Sequence, residues 1–322
     1  MRSHLLSTGI LSLLAACTIS SGVMAITTAS EAIKSPSGHG KFDFMRVDEM
    51  RHRLLAAHRD AGSLDVLDLH TGKTTAVNVG HVQGIDFDQH GHYFCGDEKD
   101  QKLVVVDADK LSIKKEIKTP GEIDCLAYCP SNKLVYADHD DGTDVWVIDF
   151  VKGKLVKTID VGGAPEYIEF NPVDGKLYQN VKTNNTMVAI DPATNSVVST
   201  ISTVPVESPH GLAIDSKSNR AFTAGRNGKL AAIDLKTGKQ LAVVDIASGV
   251  DQIAFDPTTK RIYCAGKGSV SVVEETDDGV RFVKNIPVHA GAHTLAVDTA
   301  THDVWICYAD ESSGYLEKID SK

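Results

Sequence analysis

The segment Leu212-Ala213-Ile214-Asp215 sets two apolar residues one position apart and closes with an acid, and this pattern returns along the chain. Six further segments have the same pattern and close with Asp, Asn or Cys: Met45-Arg46-Val47-Asp48, Ile85-Asp86-Phe87-Asp88, Leu126-Ala127-Tyr128-Cys129, Ile168-Glu169-Phe170-Asn171, Ile253-Ala254-Phe255-Asp256 and Leu295-Ala296-Val297-Asp298. The closing residues are separated by 40, 41, 42, 44, 41 and 42 positions. Such regular spacing indicates an array of structural repeats.

A second phrase follows the first at a nearly fixed distance in six of the seven units, as in Val66-Leu67-Asp68 and Ala232-Ile233-Asp234. An aromatic stretch such as Lys176-Leu177-Tyr178 lies between the two phrases, and an alternating stretch follows the second. Each unit therefore predicts four short strands, here called A to D, joined by tight turns. Seven units of about 40 residues with four strands each are typical of propeller blades. The sequence predicts an all-β, seven-bladed β-propeller with antiparallel blades.

The last unit ends after its third strand, at Tyr315-Leu316-Glu317-Lys318-Ile319-Asp320, and lacks a strand D. Ala32-Ile33-Lys34-Ser35 precedes the first strand A at the spacing that a strand D would have. We therefore predict that the N-terminal strand completes the last blade and closes the ring, which removes an open sheet edge. The predicted organisation is a signal segment over residues 1–25, a linker with the closing strand over 26–38, and the propeller over 39–322.

Several stretches of blades three and four carry a family resemblance. They are Val145-Trp146-Val147-Ile148-Asp149, Lys157-Thr158-Ile159-Asp160-Val161-Gly162-Gly163-Ala164-Pro165, Phe170-Asn171-Pro172 and Gly175-Lys176-Leu177-Tyr178. The sequence resembles the YVTN-repeat β-propellers, including YncE-like proteins, although the Tyr-Val-Thr-Asn motif itself is absent. The resemblance implies the seven-bladed fold. This family is similar to haem-d1 and quinoprotein propellers, but no residue pattern here demands either cofactor.

The N-terminus is predicted to be a targeting segment. An apolar stretch from Leu5 to Ala16 follows Arg2 and is too short for a convincing membrane span. Leu14-Ala15-Ala16-Cys17 resembles a lipobox, whereas Val23-Met24-Ala25 resembles an ordinary signal peptidase site. Both interpretations predict a periplasmic or otherwise extracytoplasmic protein, and the first adds a lipid anchor on Cys17 as its membrane contact.

The composition fits a globular protein, with 42% apolar and 24% charged residues and a net charge of −10. An acidic chain is a poor candidate for sequence-independent nucleic-acid binding. The five cysteines after Cys17 sit in apolar strand patterns. Cys125 and Cys129 share one strand, which puts their Cα atoms about 13 Å apart and excludes a disulfide between them. Buried free thiols are the prediction.

Polar residues occur five places before the closing residue of every strand A: Asp43, Gln83, Asp124, Glu166, His210, Asp251 and His293. The repeat places them at one level, so they predict a polar ring at one mouth of the central channel. His and carboxylate are ligands suited to a transition metal, so His210, Asp251 and His293 form a candidate metal set. A plain hydrogen-bonding channel lining and a site for a small cationic or polar ligand are the alternatives.

The loops between strands B and C predict a charge split on the same face. Asp97-Glu98-Lys99-Asp100, Asp138-His139-Asp140-Asp141 and Tyr308-Ala309-Asp310-Glu311 make it acidic over blades two, three and seven. Lys182, Arg226 and Lys267 make it basic over blades four to six, and we add Arg226 to the predicted ligand-binding residues. Ordinary solvated loops are the alternative interpretation.

The sequence contains no Gly-x-Ser-x-Gly elbow, phosphate loop or His-Glu-x-x-His motif. We therefore predict an exported binding or scaffold protein that engages a small ligand, a cation or a protein partner at the channel mouth, and we assign no catalytic residue. A divalent metal is the one cofactor that the residue pattern suggests. A lactonase-like hydrolase or an oxidoreductase using the same mouth residues is the alternative, because such propellers assemble sites from separate blades.

Overall fold

A computed structural model describes residues 32–321, so the predicted signal segment lies outside the described residues. The described chain forms seven four-stranded antiparallel sheets. Blade one contains β2 (Met45–Asp48), β3 (Arg53–His58), β4 (Ser63–Asp68) and β5 (Thr74–Asn78). Blade two contains β6 (Val82–Phe87), β7 (His92–Asp97), β8 (Lys102–Asp107) and β9 (Ser112–Lys118). Blade three contains β10 (Ile123–Cys129), β11 (Leu134–His139), β12 (Asp144–Asp149) and β13 (Lys154–Asp160).

The remaining blades repeat this order. Blade four contains β14 (Pro165–Asn171), β15 (Lys176–Val181), β16 (Thr186–Asp191) and β17 (Ser196–Ser202). Blade five contains β18 (Pro209–Asp215), β19 (Arg220–Gly225), β20 (Lys229–Asp234) and β21 (Lys239–Asp245). Blade six contains β22 (Ile253–Asp256), β23 (Arg261–Gly266), β24 (Ser269–Thr276) and β25 (Gly279–Pro287). Blade seven contains β26 (Leu295–Asp298), β27 (Asp303–Ala309) and β28 (Gly314–Ile319), and its outer strand is β1 (Ile33–Lys34).

The ring closes as predicted. β1 pairs antiparallel with β28, with Ile33 opposite Leu316 and Lys34 opposite Tyr315. The backbone N–H of Ser35 continues this pairing by donating to the Gly314 carbonyl over 2.9 Å. The N-terminal strand therefore completes blade seven, and the prediction of a closed seven-bladed propeller is confirmed.

The recurring closing residue has a local structural role. Asp88 accepts hydrogen bonds from the backbone N–H groups of His90 and His92, and Asp256 accepts one from that of Thr258. The second phrase does the same one turn later, where Asp234 accepts from the backbone of Thr237. These side chains satisfy the N–H groups of tight turns, which explains why the repeat ends each phrase with a short polar residue.

The core lies between neighbouring blades. Large aromatic residues of the second strands are fully buried, among them Tyr93, Tyr178 and Phe222. The hydroxyl groups of the two tyrosines find polar partners: Tyr178 donates to Asp174, and Tyr93 of blade two donates to Asp48 of blade one over 2.9 Å. All five cysteines among the described residues are buried and free, as predicted. Within residues 32–321 no helix is long and apolar enough to cross a membrane.

Candidate functional site

A cavity of about 720 Å³ opens at one mouth of the central channel. It is lined by all seven residues of the predicted ring: Asp43, Gln83, Asp124, Glu166, His210, Asp251 and His293. The structure therefore brings one residue from each blade to one cavity. A volume of this size is typical of small-molecule sites. Whether these residues bind a ligand stays a prediction.

The inner strands turn these side chains towards the channel by an irregularity that the repeat does not reveal. The pairing of β6 with β7 shifts register between Val82 and Ile85, where Gln83 lies. Blades three, four and five show equivalent shifts at Asp124, Glu166 and His210. A β-bulge leaves a residue out of the ladder and re-aims its side chain. In blades one, six and seven the ring residue instead precedes a shorter inner strand.

His210 is 4% exposed, and its two ring nitrogens have different partners. Nδ1 lies 2.8 Å from the carbonyl oxygen of Ser208, which can only accept a hydrogen bond, so Nδ1 carries a proton. Nε2 accepts a hydrogen bond from Nε of Arg226 over 2.6 Å and lies 3.4 Å from Oε1 of Glu166. This arrangement holds the lone pair of Nε2 towards the cavity, as metal-binding histidines require.

His293 has the same tautomer but a looser position. Its Nδ1 donates to the carbonyl of Gly291 over 2.9 Å, and its Nε2 lies 3.8 Å from Oδ2 of Asp251. The ligand atoms that lie within 4.8 Å of one another belong instead to Glu166, His210 and Asp251. The predicted metal set of His210, Asp251 and His293 stays a prediction; the closest grouping of ligand atoms among the described residues contains Glu166 instead of His293. Glu166 is nearer because its blade adjoins that of His210.

Basic side chains from the outer loops already contact this cluster. Lys182 Nζ lies 2.8 Å from Glu166 Oε2 and 3.2 Å from Asp140 Oδ1. Arg226 reaches Asp251 over 3.0 Å in addition to His210. The predicted basic side of the mouth therefore folds inward as counterions. These cations occupy the space beside the carboxylates that a ligand cation would take.

Burial dominates the electrostatics of the ring carboxylates. Loss of hydration raises the pKa values of Asp43 and Asp124 well above their ordinary range, and neighbouring carboxylates, led by Asp251 and Glu166 respectively, raise them further. Burial also raises the pKa of Glu166, while His210 and Lys182 oppose that rise. The ring therefore favours protons or other cations at its floor.

A second, smaller cavity lies next to the ring carboxylates. Asp43, Asp124, Glu166 and Asp251 line this cavity, whose volume is about 20 Å³. Phe44 and Tyr167, whose rings lie 5.1 Å apart, and Gln252, which bonds both backbone groups of Met45, line the same small cavity.

Sequence reasoning missed two basic residues of the mouth, Lys41 and Arg59, which also line the cavity. Lys41 stands two places before Asp43, and a search along strand A beyond the ring position would have found it.

Sequence reasoning also missed a buried cluster of Ser35, His58 and Asp65. Both Ser35 Oγ and Asp65 Oδ2 contact the same nitrogen, Nδ1, of His58. In a nucleophilic triad the hydroxyl and the carboxylate contact different ring nitrogens of the histidine, so this cluster is not such a triad.

The comparisons with known proteins agree on fold alone. A chain of the mitotic checkpoint complex superposes with a TM-score of 0.78 at 15% identity, covering 98% of this chain and 100% of that chain. A chain of Kuenenia stuttgartiensis hydrazine synthase superposes with a TM-score of 0.74 at 14% identity, and the match covers 93% of this chain and 99% of that chain. No family model and no curated protein matches the sequence. The propeller fold is supported, and the YVTN-repeat family stays a prediction.

Proposed function

We propose that this protein is a binding propeller whose channel mouth takes a divalent transition-metal cation, with Glu166, His210 and Asp251 as its ligands. One observation carries the proposal: Nε2 of His210 and Oε1 of Glu166 lie 3.4 Å apart. Two ligands of a tetrahedral Zn²⁺ with bonds of about 2.0–2.1 Å are separated by about 3.4 Å. Asp251 supplies a third oxygen within 4.8 Å of both partners.

The surroundings of the three residues support the same proposal. The Nδ1–H of His210 is tied to a backbone carbonyl, which fixes the ring and leaves Nε2 basic. Buried carboxylates with raised pKa values are stabilised by a bound cation. A His nitrogen beside carboxylate oxygens favours Zn²⁺ over Ca²⁺, which prefers oxygen ligands alone.

The test is calorimetric titration of the chelator-treated protein with Zn²⁺, and with Ca²⁺ in parallel. We expect one Zn²⁺ per chain, weaker binding of Ca²⁺, and at least a tenfold loss of Zn²⁺ affinity in His210→Ala. His302→Ala is the matched control, because His302 also contacts a carboxylate, Asp256 at 2.8 Å, but does not line the mouth. Absent Zn²⁺ binding, or equal binding by His210→Ala, would overturn the proposal.

A location outside the cytoplasm belongs to the same proposal and rests on the N-terminal sequence. Mass spectrometry of the native protein would find either a lipidated Cys17 or a chain beginning at Ile26. A native chain that retains Met1 would contradict both processing interpretations.

A further inference from the structure

The mouth carries more charge than a lone cation needs. Five carboxylates and five basic side chains line the cavity: Asp43, Asp124, Asp140, Glu166 and Asp251, and Lys41, Arg59, Lys182, Arg226 and Lys267. Their formal charges cancel. A dication on the proposed metal ligands would add two positive charges that the lining cannot balance. The cavity of about 720 Å³ has room for a further ligand above one metal ion.

The most exposed charges of the mouth are basic, while Arg59 and Lys182 are partly buried beside the carboxylates. The ring carboxylates are at least partly buried, whereas Lys41, Arg226 and Lys267 at the rim are exposed. Among residues 32–321, neither Lys41 nor Lys267 forms an ion pair with a protein carboxylate. Lys267 instead lies along Gly249, another residue of the cavity wall. The mouth therefore has an exposed basic rim, formed by Lys41, Arg226 and Lys267, above partly buried carboxylates.

Gln83 gives a second, independent sign of a missing ligand. It lines the same cavity, is 5% exposed, and its side-chain amide nitrogen has no hydrogen-bond partner among the described atoms. A buried N–H donor without an acceptor is costly, and native proteins rarely leave one. A metal ion cannot satisfy a donor, but an anionic oxygen of a ligand can.

From these observations we infer that the mouth takes its divalent cation as a complex with a small oligoanionic oxygen chelator, a polycarboxylate or oligophosphate. The metal sits on Glu166, His210 and Asp251, and the chelator's free oxygens face Lys41, Lys267 and Gln83. The two halves are coupled, because a metal at the floor displaces Arg226 from His210 and Asp251. The released guanidinium is then a fork of donors suited to a carboxylate or phosphate. This inference rests on the proposed metal site.

Equilibrium dialysis with radiolabelled citrate, and separately with pyrophosphate, tests the inference on the whole mature protein with and without equimolar Zn²⁺. We expect one of these anions to be retained at one per chain with Zn²⁺, and at least tenfold more weakly without it. The double variant Lys41→Gln/Lys267→Gln should lose at least fivefold in anion retention and keep its affinity for Zn²⁺ alone. Lys154→Gln/Lys157→Gln, with the same charge change on the outer strand of blade three, should behave as wild type.

The outcomes separate the two proposals. If Zn²⁺ binds alone but neither anion is retained with it, the chelate inference fails and the metal site stands. If an anion is retained equally with and without Zn²⁺, the mouth is an anion site and the chelate inference is overturned. If Zn²⁺ does not bind in the calorimetric titration, the metal site itself fails.

Discussion

Arg226 donates a hydrogen bond from Nε to Nε2 of His210 over 2.6 Å, so an arginine of blade five occupies the lone pair that a metal would need. The same guanidinium pairs with Asp251 over 3.0 Å, and the Arg226 side chain is 55% exposed. Arg226 is therefore a counterion that can swing into solvent when a compact cation takes its place. Its contacts make it a competitor of the metal and, once displaced, a partner of an anion.

Arg226→Gln should therefore raise the affinity for Zn²⁺ alone. An exposed ion pair contributes at most about 1 kcal/mol, so the gain should reach up to about fivefold. Titration calorimetry in a buffer without chelating anions measures it. Arg281→Gln is the control, because Arg281 pairs with Glu274 at the surface and does not line the mouth. A loss of Zn²⁺ affinity in Arg226→Gln would show that Arg226 supports the metal site rather than competing for it.

Zn²⁺ affinity should fall as the pH is lowered from 7.5 to 5, because protons compete for a ligand carboxylate. Burial raises the pKa of Glu166, with Asp251 raising it further and His210 and Lys182 opposing the rise. Glu166→Gln should bind Zn²⁺ more weakly at pH 7.5 and show a shallower pH dependence, since the residue that gains the proton is gone. Equal slopes for both proteins would exclude Glu166 as the competing group.

The repeat predicted the ring because the inner strands share one register from their closing residues back to the mouth. Asp43, Gln83 and His210 could be placed at one level by counting alone. Counting positions does not show which of these side chains approach one another closely. That depends on the β-bulges at Glu166 and His210, where the pairing of β14 and β18 with their neighbouring strands shifts register. In the structure Oε1 of Glu166 lies 3.4 Å from Nε2 of His210, whereas Nε2 of His293 lies 3.8 Å from Oδ2 of Asp251.

The counterions were harder to predict than the ring. Lys182 and Arg226 stand at equivalent loop positions, so the sequence predicted which blades carry them. It did not predict that their side chains point into the mouth. The contacts of a long loop side chain depend on the charges around it, and buried carboxylates attract basic side chains towards the channel. The polar donor of Gln83 gives no sequence signal, because its lack of a partner is a property of the assembled cavity.

The melting temperature should rise as the pH is lowered from 7.5 to about 5. Burial raises the pKa of Asp86 to about 6 and holds those of Asp124 and Glu166 above their ordinary values. These groups bind more protons in the folded than in the unfolded chain, whose carboxyl pKa values lie near 4. Their destabilising effect is therefore present at neutral pH and is lost as the pH falls through the folded pKa values.

Asp124→Asn isolates this effect, because Asn resembles the protonated carboxyl group. The variant should melt at a higher temperature than wild type at pH 7.5 and show a smaller gain at pH 5. Asp107→Asn is the control, because the pKa of Asp107 is shifted in the opposite direction: a backbone hydrogen bond from Lys110 lowers it. It should not raise the melting temperature. Calorimetric scans at both pH values would contradict the argument if Asp124→Asn melts below wild type at pH 7.5.

Ring closure should depend on a buried polar cluster as much as on the closing strand. β1 contributes only two residues to blade seven, so its ladder is short. Ser35 and Ser37, which follow β1, both donate to the carboxylate of Asp65 in blade one, and His58 Nδ1 lies 3.0 Å from Oδ2 of that carboxylate. Nε2 of His58 donates to the carbonyl of Gly40 over 3.1 Å. The cluster thus fastens the N-terminal segment across the junction between blades seven and one.

Asp65→Ala should destabilise the protein by about 3–5 kcal/mol, because the hydroxyl groups of Ser35, Ser37 and Ser63 lose their shared acceptor and the buried ring of His58 loses a polar neighbour. Asp245→Ala, which breaks the exposed pair with Lys229, should cost less than about 1 kcal/mol. Denaturant unfolding measures both values. Hydrogen exchange adds a local readout: in Asp65→Ala the Ser35 amide, bonded to Gly314, should exchange faster than amides of β15 and β16 in the same protein. A uniform loss of protection would mean that Asp65 supports global packing and not the closure, since only an opening at the junction releases Ser35 first.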